Sequence, residues 1–389
     1  MFNKPFSRKS YQSFEELSFG NFVIMGLYQR FLELYLKTRK DFKVYPLEKL
    51  KEPPKKFLVF SITALGDTLF SIPAIKSLKL SFPNSELIAV INHKWVPLFE
   101  SFPYIDKLYN FKKGILNIFS LGRNLREENA KVALIFHGNY PEDILLCMLS
   151  EVNFILKSRL NSKYINYLSF KDFDVNTHAI ETRLALVKAI GGKKITKEME
   201  LEPLLDLSIK EKINTSFSIL SSESRVIGFQ LGASYMAKTW PIEHFVQLAK
   251  NLSIRGNYFF VLIGSKNEKK LGKIFERFYP YKNFLNFIGK TSLKELPYLL
   301  KKLDVLITPD TGILHLAIAL KVPTVSLFAL TNPIYNGPYQ DLELHKVISR
   351  SEGLKYSHLK KKKRPQTPME SISPQEVLKQ IEEVLKIKK

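Results

Sequence analysis

Short apolar runs alternate with amphipathic stretches along most of this chain. Phe57–Phe60 (FLVF), Leu87–Ile91 (LIAVI) and Val132–Phe136 (VALIF) read as buried strands. The stretch IPAIKSLKLSF, with Pro73 early, reads as a helix that ends before Pro83-Asn84. The pattern restarts after the polar Ser221–Arg225. Val226–Gln230, Tyr258–Ile263, Val305–Thr308 and Thr324–Phe328 are strands in this reading. Between them, Pro241–Leu252, Leu293–Lys301 and Gly312–Leu320 are helical, with Pro241 suited to a first turn. A last helix begins at Ser373-Pro374-Gln375-Glu376, Ser373 capping it and Pro374 opening it. Strand and helix alternation with short connections predicts two successive doubly wound α/β units. Their expected bounds are residues 56–215 and 216–350, followed by a basic segment and helix over 351–389.

Residues 1–55 stand apart, closed off by the proline-containing KEPPKK at Lys51–Lys56. Phe22–Leu36 is apolar with helical period, but Arg30 and Glu33 interrupt it. It falls short of the ~20 apolar residues a membrane-spanning helix needs. Two readings stand: an interfacial helix with the basic flank Lys37, Arg39, Lys40 and Lys43, or a helix packed on the main fold or a partner subunit. The basic N-terminus lacks the apolar core and cleavage site of a secretory signal.

Composition sharpens this picture at two points. The 389 residues include one cysteine, Cys147, so no intramolecular disulfide forms and a reducing compartment is expected. The net charge of +22 favours an anionic partner such as nucleic acid, anionic lipid or a phosphorylated substrate. Genome-driven lysine enrichment accounts for the same number equally well. No nucleic-acid-reading module accompanies the charge; the basic run Lys360–Arg364 reads as a solvated loop.

Three short motifs sit where strands turn into helices, the edge at which open α/β sheets bind ligands. Ala64-Leu65-Gly66-Asp67-Thr68 places an aspartate at such a turn, as a general base or as a helix cap. Gly232–Pro241 offers loop N–H groups around Ser234 and a cation, Lys238, to a phosphate. It lacks the ending of a Walker A loop. Thr308–His315 opens a small-residue helix, so Thr311 and Gly312 present free N–H groups to an anion. His315 would face the same cleft one turn further on, and Asp310 would cap the helix or bind a sugar hydroxyl. Asp172-Phe173-Asp174 spells a metal-binding triplet of some transferases, but it lies in a polar stretch and reads as surface loop. No zinc spacing and no Gly-x-Ser-x-Gly elbow occurs.

Taken in order, these segments resemble glycosyltransferase family 9, the heptosyltransferases of lipopolysaccharide inner-core assembly. The similarity runs through FLVFSITALGDTLFSIPAIKSLKLSFPNSELIAVIN, FPYIDKLYNF, THAIETRLALVKAIGG, IGFQLGASYMAKTWPIEHFVQLAKNL and FIGKTSLKELPYLLKKLDVLITPDTGILHLAIALKVPTVSLFALTNP. It covers roughly residues 56–340. The resemblance implies a GT-B architecture: two Rossmann-like domains facing a cleft, the donor on the second, and a last helix returning to the first. It implies Asp67 as catalytic base, Lys238 on the donor phosphates, and Ser234, Asp310, Thr311, Gly312 and His315 in the donor site. Glu268 aligns with an acid that binds the donor nucleoside. Gly66, Thr68, His137 and Asn139 are assigned to the acceptor side. The implied donor is a nucleotide sugar, ADP-heptose first, with no cofactor and no metal. The implied acceptor is an anionic lipid-linked glycan, reached from the cytoplasm by peripheral contact with an anionic membrane and without nucleic acid. Another nucleotide sugar for a different surface glycan, or a silent GT-B binding protein, are the alternatives. The chain departs from the family pattern at Ser61, where a basic residue is common, and at Phe328-Ala329-Leu330-Thr331, which stands for Phe-Gly-Pro-Thr.

Overall fold

The computed structural model describes residues 19–39, 41–158, 167–169, 177–202, 206–234, 236–351 and 368–387. The Asp172–Asp174 triplet and the Lys360–Arg364 run lie outside the described residues. The first unit contains α1 (Phe19–Thr38), β1 (Lys56–Ser61), α2 (Leu65–Leu69), α3 (Ile72–Ser81), β2 (Glu86–Asn92) and β3 (Lys107–Phe111). It continues with α4 (Ile115–Glu127), β4 (Val132–His137), α5 (Glu142–Leu149), β5 (Phe154–Lys157) and α6 (Ala179–Ala189). Its five strands form a wholly parallel sheet in the order β3-β2-β1-β4-β5.

After α7 (Leu207–Ser216) the second unit follows: β6 (Arg225–Gln230), α8 (Ile242–Ser253), β7 (Tyr258–Ile263), α9 (Lys269–Phe278) and β8 (Phe284–Asn286). Then come α10 (Leu296–Leu300), β9 (Val305–Pro309), α11 (Gly312–Ala319), β10 (Thr324–Phe328), α12 (Pro333–Asn336), β11 (His345–Ser349) and α13 (Pro374–Ile387). These six strands are parallel in the order β11-β10-β9-β6-β7-β8. Both orders reverse direction beside the first strand, so each sheet opens a crevice at its carboxyl edge. The continuous apolar runs of β1, β4, β6 and β9 are explained by layers on both faces.

Several expected boundaries move. The chain enters the second unit before residue 206, not at 215. Leu201 N–H already bonds Ala319 O, Asp206 N–H bonds the Tyr298 hydroxyl, and Lys212 pairs with Glu295. So α7 packs with the second domain. Pro241 occupies the N-cap position of α8 rather than its first turn. The helix expected over Leu293–Lys301 shortens to α10, with Pro297 in its opening turn. The last helix stays on the second domain instead of crossing back. Val377, Leu378, Ile381, Val384 and Leu385 complete that domain's core, and the Trp240 indole donates to Ile372 O at 3.0 Å. Its start is a capping box: Glu376 N–H bonds Ser373 Oγ at 3.2 Å, and Ser373 N–H bonds the Glu376 carboxylate at 2.9 Å.

On α1, Leu32 and Leu36 are buried against the first sheet, and Tyr35 meets Phe119 edge-on at 4.8 Å. The packing reading of this segment therefore holds for one face of the helix.

The two domains are not separated by an empty cleft along their whole length. A single apolar cluster continues from β1, α2 and α3 into α10 and α11. His178 caps α6 and bridges to the second domain. Its Nδ1 accepts from Ile180 N–H, so Nε2 carries the proton donated to Gly337 O at 3.0 Å. Its ring stacks on Tyr339 at 4.2 Å. Burial lowers the His178 pKa to about 4, which keeps the ring neutral.

Candidate active site

The site forms where α2 of the first domain meets α11 of the second. After β1 the chain turns through Ile62–Ala64 and enters α2, with Ala64 at the N-cap position. Asp67 therefore lies inside the helix rather than capping it. The helix-cap reading of Asp67 thus does not hold. Its carboxylate is part-exposed, and Oδ1 is held from two sides. Arg183 Nη2 and His137 Nε2 each stand 3.3 Å from that oxygen. Among the described residues Oδ2 takes no hydrogen bond. One oxygen is thus oriented while the other keeps its lone pairs.

Arg183 was not singled out by the sequence reading. It is buried in α6, and its donors go to Asp67 O, Ser71 Oγ and Ala179 O as well as to the Asp67 carboxylate. Ser71 Oγ in turn lies 3.1 Å from Ser61 Oγ. A guanidinium therefore stands beside Ser61, the position that lacks the common basic residue. The sequence signal was an arginine within a largely apolar helix, the single charged residue on its buried face. His137 ends β4, its Nδ1 2.6 Å from Thr63 Oγ1. Asn139 is exposed just beyond it. Thr68 does not reach the cleft: it is fully buried, and its hydroxyl bonds Ala64 O at 3.1 Å and Ser61 O at 3.4 Å.

Across the seam, α11 begins at Thr311, whose side chain makes no cap bond. Its hydroxyl instead donates to Gln230 Oε1 at 2.8 Å, and Thr308 Oγ1 donates to the same oxygen at 2.6 Å. The first-turn N–H groups of α11 are left for an anion. Asp310 is an ion-pair partner rather than a helix cap. Lys238 Nζ lies 2.6 Å from its Oδ2, Thr331 donates to the same oxygen, and His315 Nε2 is 3.6 Å from Oδ1. Burial alone would raise this carboxyl, but His315 and Lys238 outweigh it and hold it well below the usual carboxylate range. Lys238 is thereby fixed beside the start of α11, and Thr331, kept in the altered Phe328–Thr331 loop, joins it on the Asp310 carboxylate.

His315 is not at the cleft wall but buried in the domain seam. Its ring packs on Phe70 at 4.4 Å. A Cβ on Gly66 would stand 2.6 Å from its Cδ2, and a Cβ on Gly312 would stand 2.8 Å from Leu65 Cβ. Both glycines allow the two helices to touch, which is a packing role that the turn and anion readings missed. His315 Nδ1 is buried without a partner among the described residues. Glu268 lies over Gly232 and Gly264 at the ends of β6 and β7, its carboxylate accepting from Ser265 Oγ at 2.6 Å. Ser234 is exposed on the loop after β6. Among the described residues no group of three His, Cys, Asp or Glu is arranged to hold a metal ion.

Two facing Rossmann-like domains, with an oriented carboxylate on one and a cation beside a helix N-terminus on the other, define an enzyme of the GT-B class. The glycosyltransferase family 9 (heptosyltransferase) model matches residues 118–367, and the chain belongs to that family. It is similar to lipopolysaccharide heptosyltransferase 2 of Salmonella typhimurium, 29% identical over 300 residues, which cover 73% of this chain and 85% of the relative. Its fold matches a family 9 glycosyltransferase from Veillonella parvula with TM-score 0.73 and 22% identity, covering 86% of this chain and 97% of that one. It also matches E. coli ADP-heptose lps heptosyltransferase II with TM-score 0.67 and 23% identity, over 86% and 99% of the two chains.

Proposed function

We propose that this glycosyltransferase moves heptose from ADP-heptose to the inner core of a lipopolysaccharide acceptor, with inversion at the anomeric carbon. The observation that carries the reading is the oriented Asp67 carboxylate at the seam with α11. The names of the similar Salmonella and E. coli enzymes supply the substrates. Asp67 takes the proton of an acceptor hydroxyl as that oxygen attacks the anomeric carbon. The bond to the diphosphate breaks, and ADP leaves with the electron pair. Proton transfer of this kind is worth about 10²–10⁴ in rate. Lys238 and the N–H groups at Thr311 and Gly312 take up the charge on the leaving diphosphate. Glu268 receives the nucleoside hydroxyls, and Ser234 contributes to the phosphate loop. His137 and Asn139 line the acceptor side. The reaction as written routes no step through a metal. The acceptor is anionic and lipid-linked, so the enzyme works at the inner face of the cytoplasmic membrane, and its +22 charge favours that surface.

The test is Asp67→Asn, read by calorimetric ADP-heptose binding and by transfer to a heptose-deficient lipopolysaccharide acceptor. Binding within threefold of wild type with turnover lowered about 10²–10⁴-fold is expected. Wild-type turnover would remove Asp67 from the base role, and a preference for UDP-, GDP- or CMP-sugars would move the enzyme to another glycan.

A further inference from the structure

One face of α1 is packed, but the other is apolar too. Leu27, Phe31 and Leu34 follow a helical i, i+4, i+7 spacing and are 62%, 45% and 64% exposed. The helix lies alongside α4, through the Tyr35–Phe119 contact. There Leu116 is 85% exposed, with Ile115 beside it. Arg30 and Lys37 flank the row on α1, and Lys112 and Lys113 precede α4; all four are exposed. Lys113 reaches toward Glu142, 3.9 Å away, and the half-buried Glu33 stands one helical turn from both Arg30 and Lys37, so the rim carries four cations and one carboxylate.

The topology fixes where this surface faces. α4 and α5 begin just after β3 and β4 end, so their N-termini lie at the carboxyl edge of the first sheet. That is the edge where Asp67 and His137 stand. Tyr28, one residue after Leu27, meets Gly114 and Glu142 at those same helix starts. The apolar row thus begins on the rim from which an acceptor would approach Asp67.

We propose that the outer face of α1, together with Leu116 of α4, is the docking surface for an anionic lipid bilayer. The apolar side chains enter the acyl boundary while Arg30, Lys37, Lys112 and Lys113 meet lipid phosphates. This orientation presents the carboxyl edge of the first domain to the membrane. It rests on the reading of the acceptor as lipid-linked, but its test does not require sugar transfer. A second copy of the chain is the competing occupant, and an apolar row bordered by four cations fits phosphates better than a like-charged copy.

The experiment is flotation of the full chain with phosphatidylcholine vesicles, alone and with phosphatidylglycerol, at low and high salt. The variant Leu27→Ser/Phe31→Ser/Leu34→Ser/Leu116→Ser alters only exposed side chains. It should lower the bound fraction at least tenfold on phosphatidylglycerol vesicles while calorimetric ADP-heptose binding stays at the wild-type level. Arg30→Gln/Lys37→Gln/Lys112→Gln should remove most of the salt dependence. If the serine variant floats like wild type, the proposal fails. It also fails if the serine changes shift a sedimenting dimer to monomer and leave vesicle binding intact. Absence of ADP-heptose binding in the wild type would instead count against the donor assignment alone.

Discussion

Gly66→Ala tests whether contact between α2 and α11 is what aligns the two halves of the site. The added methyl would stand 2.6 Å from His315 Cδ2 and 3.3 Å from Nε2. Ordinary contact requires a displacement of about 1 Å, because close-packed interiors hold carbon atoms ~3.5–4 Å apart. The His315 ring cannot simply turn away. Phe70 packs on it at 4.4 Å and Asp310 stands 3.6 Å from Nε2. Overpacking of this kind costs about 1–3 kcal/mol. At roughly 2–4 °C per kcal/mol, the melting temperature should fall by about 2–12 °C. Turnover should fall further, since a 1 Å misplacement of reacting groups costs roughly a hundredfold. The substituted residue lies on the first domain, so ADP-heptose affinity should fall less than turnover does. The assays are differential scanning fluorimetry, steady-state transfer kinetics and calorimetry on the same preparations. Gly312→Ala, which meets Leu65 Cβ at 2.8 Å, should lower melting temperature and turnover alike, and donor affinity with them because Gly312 opens the anion-facing helix. The double variant should cost less than the sum, because the first methyl already opens the shared seam. Gly26→Ala is the control: nothing lies within 4 Å of its added Cβ, and a mid-helix alanine is worth about 1 kcal/mol of stabilisation. Wild-type melting and turnover in Gly66→Ala would refute the seam as the aligning element.

Two further outcomes follow from the buried charges. Asp310→Ala strands Lys238 and removes the acceptor of Thr331, so stability should drop by about 3 kcal/mol in urea unfolding and ADP-heptose binding should change with it. His178 has its pKa lowered to about 4 by burial, below the ordinary value of 6.5. Between those two values the unfolded chain binds the extra proton, so stability falls as pH falls from 6.5 to 4, by up to about 3 kcal/mol. His345, lowered to about 4 for the same reason, adds a similar amount. His178→Gln can keep the donor to Gly337 O and should remove about half of that acid slope in urea titrations at pH 7.5, 5.5 and 4.5.

Much of this protein was legible in the chain itself. Runs such as FLVF, LIAVI and YFFVLI are buried on both faces, and that demand is local enough to read from residue type alone. The alternation of those runs with helices implied two parallel sheets. The Gly-Asp and Asp-Thr-Gly motifs marked the carboxyl edge of each. Ser373 and Pro374 announced a helix start because capping is local, and the structure adds Glu376, which completes a capping box within four residues.

What remained hidden depends on residues far apart in sequence. Arg183 meets Asp67 across 116 positions, and Lys238 meets Asp310 across 72. Gly66 and Gly312 read as turn and anion-site glycines, yet their place in the fold is a contact between two domains. The final helix was expected to return to the first domain; its apolar face instead completes the core of the second, where Trp240 is buried beside it. On α1, the helical period showed that the segment is apolar around much of its circumference. Which half is covered by the first sheet and which half is left outward was set by the tertiary packing of Leu32 and Leu36. Local pattern records how much apolar surface a segment carries. Only the folded arrangement supplies the surface against which it is buried, and hence the side of each residue that is left for function.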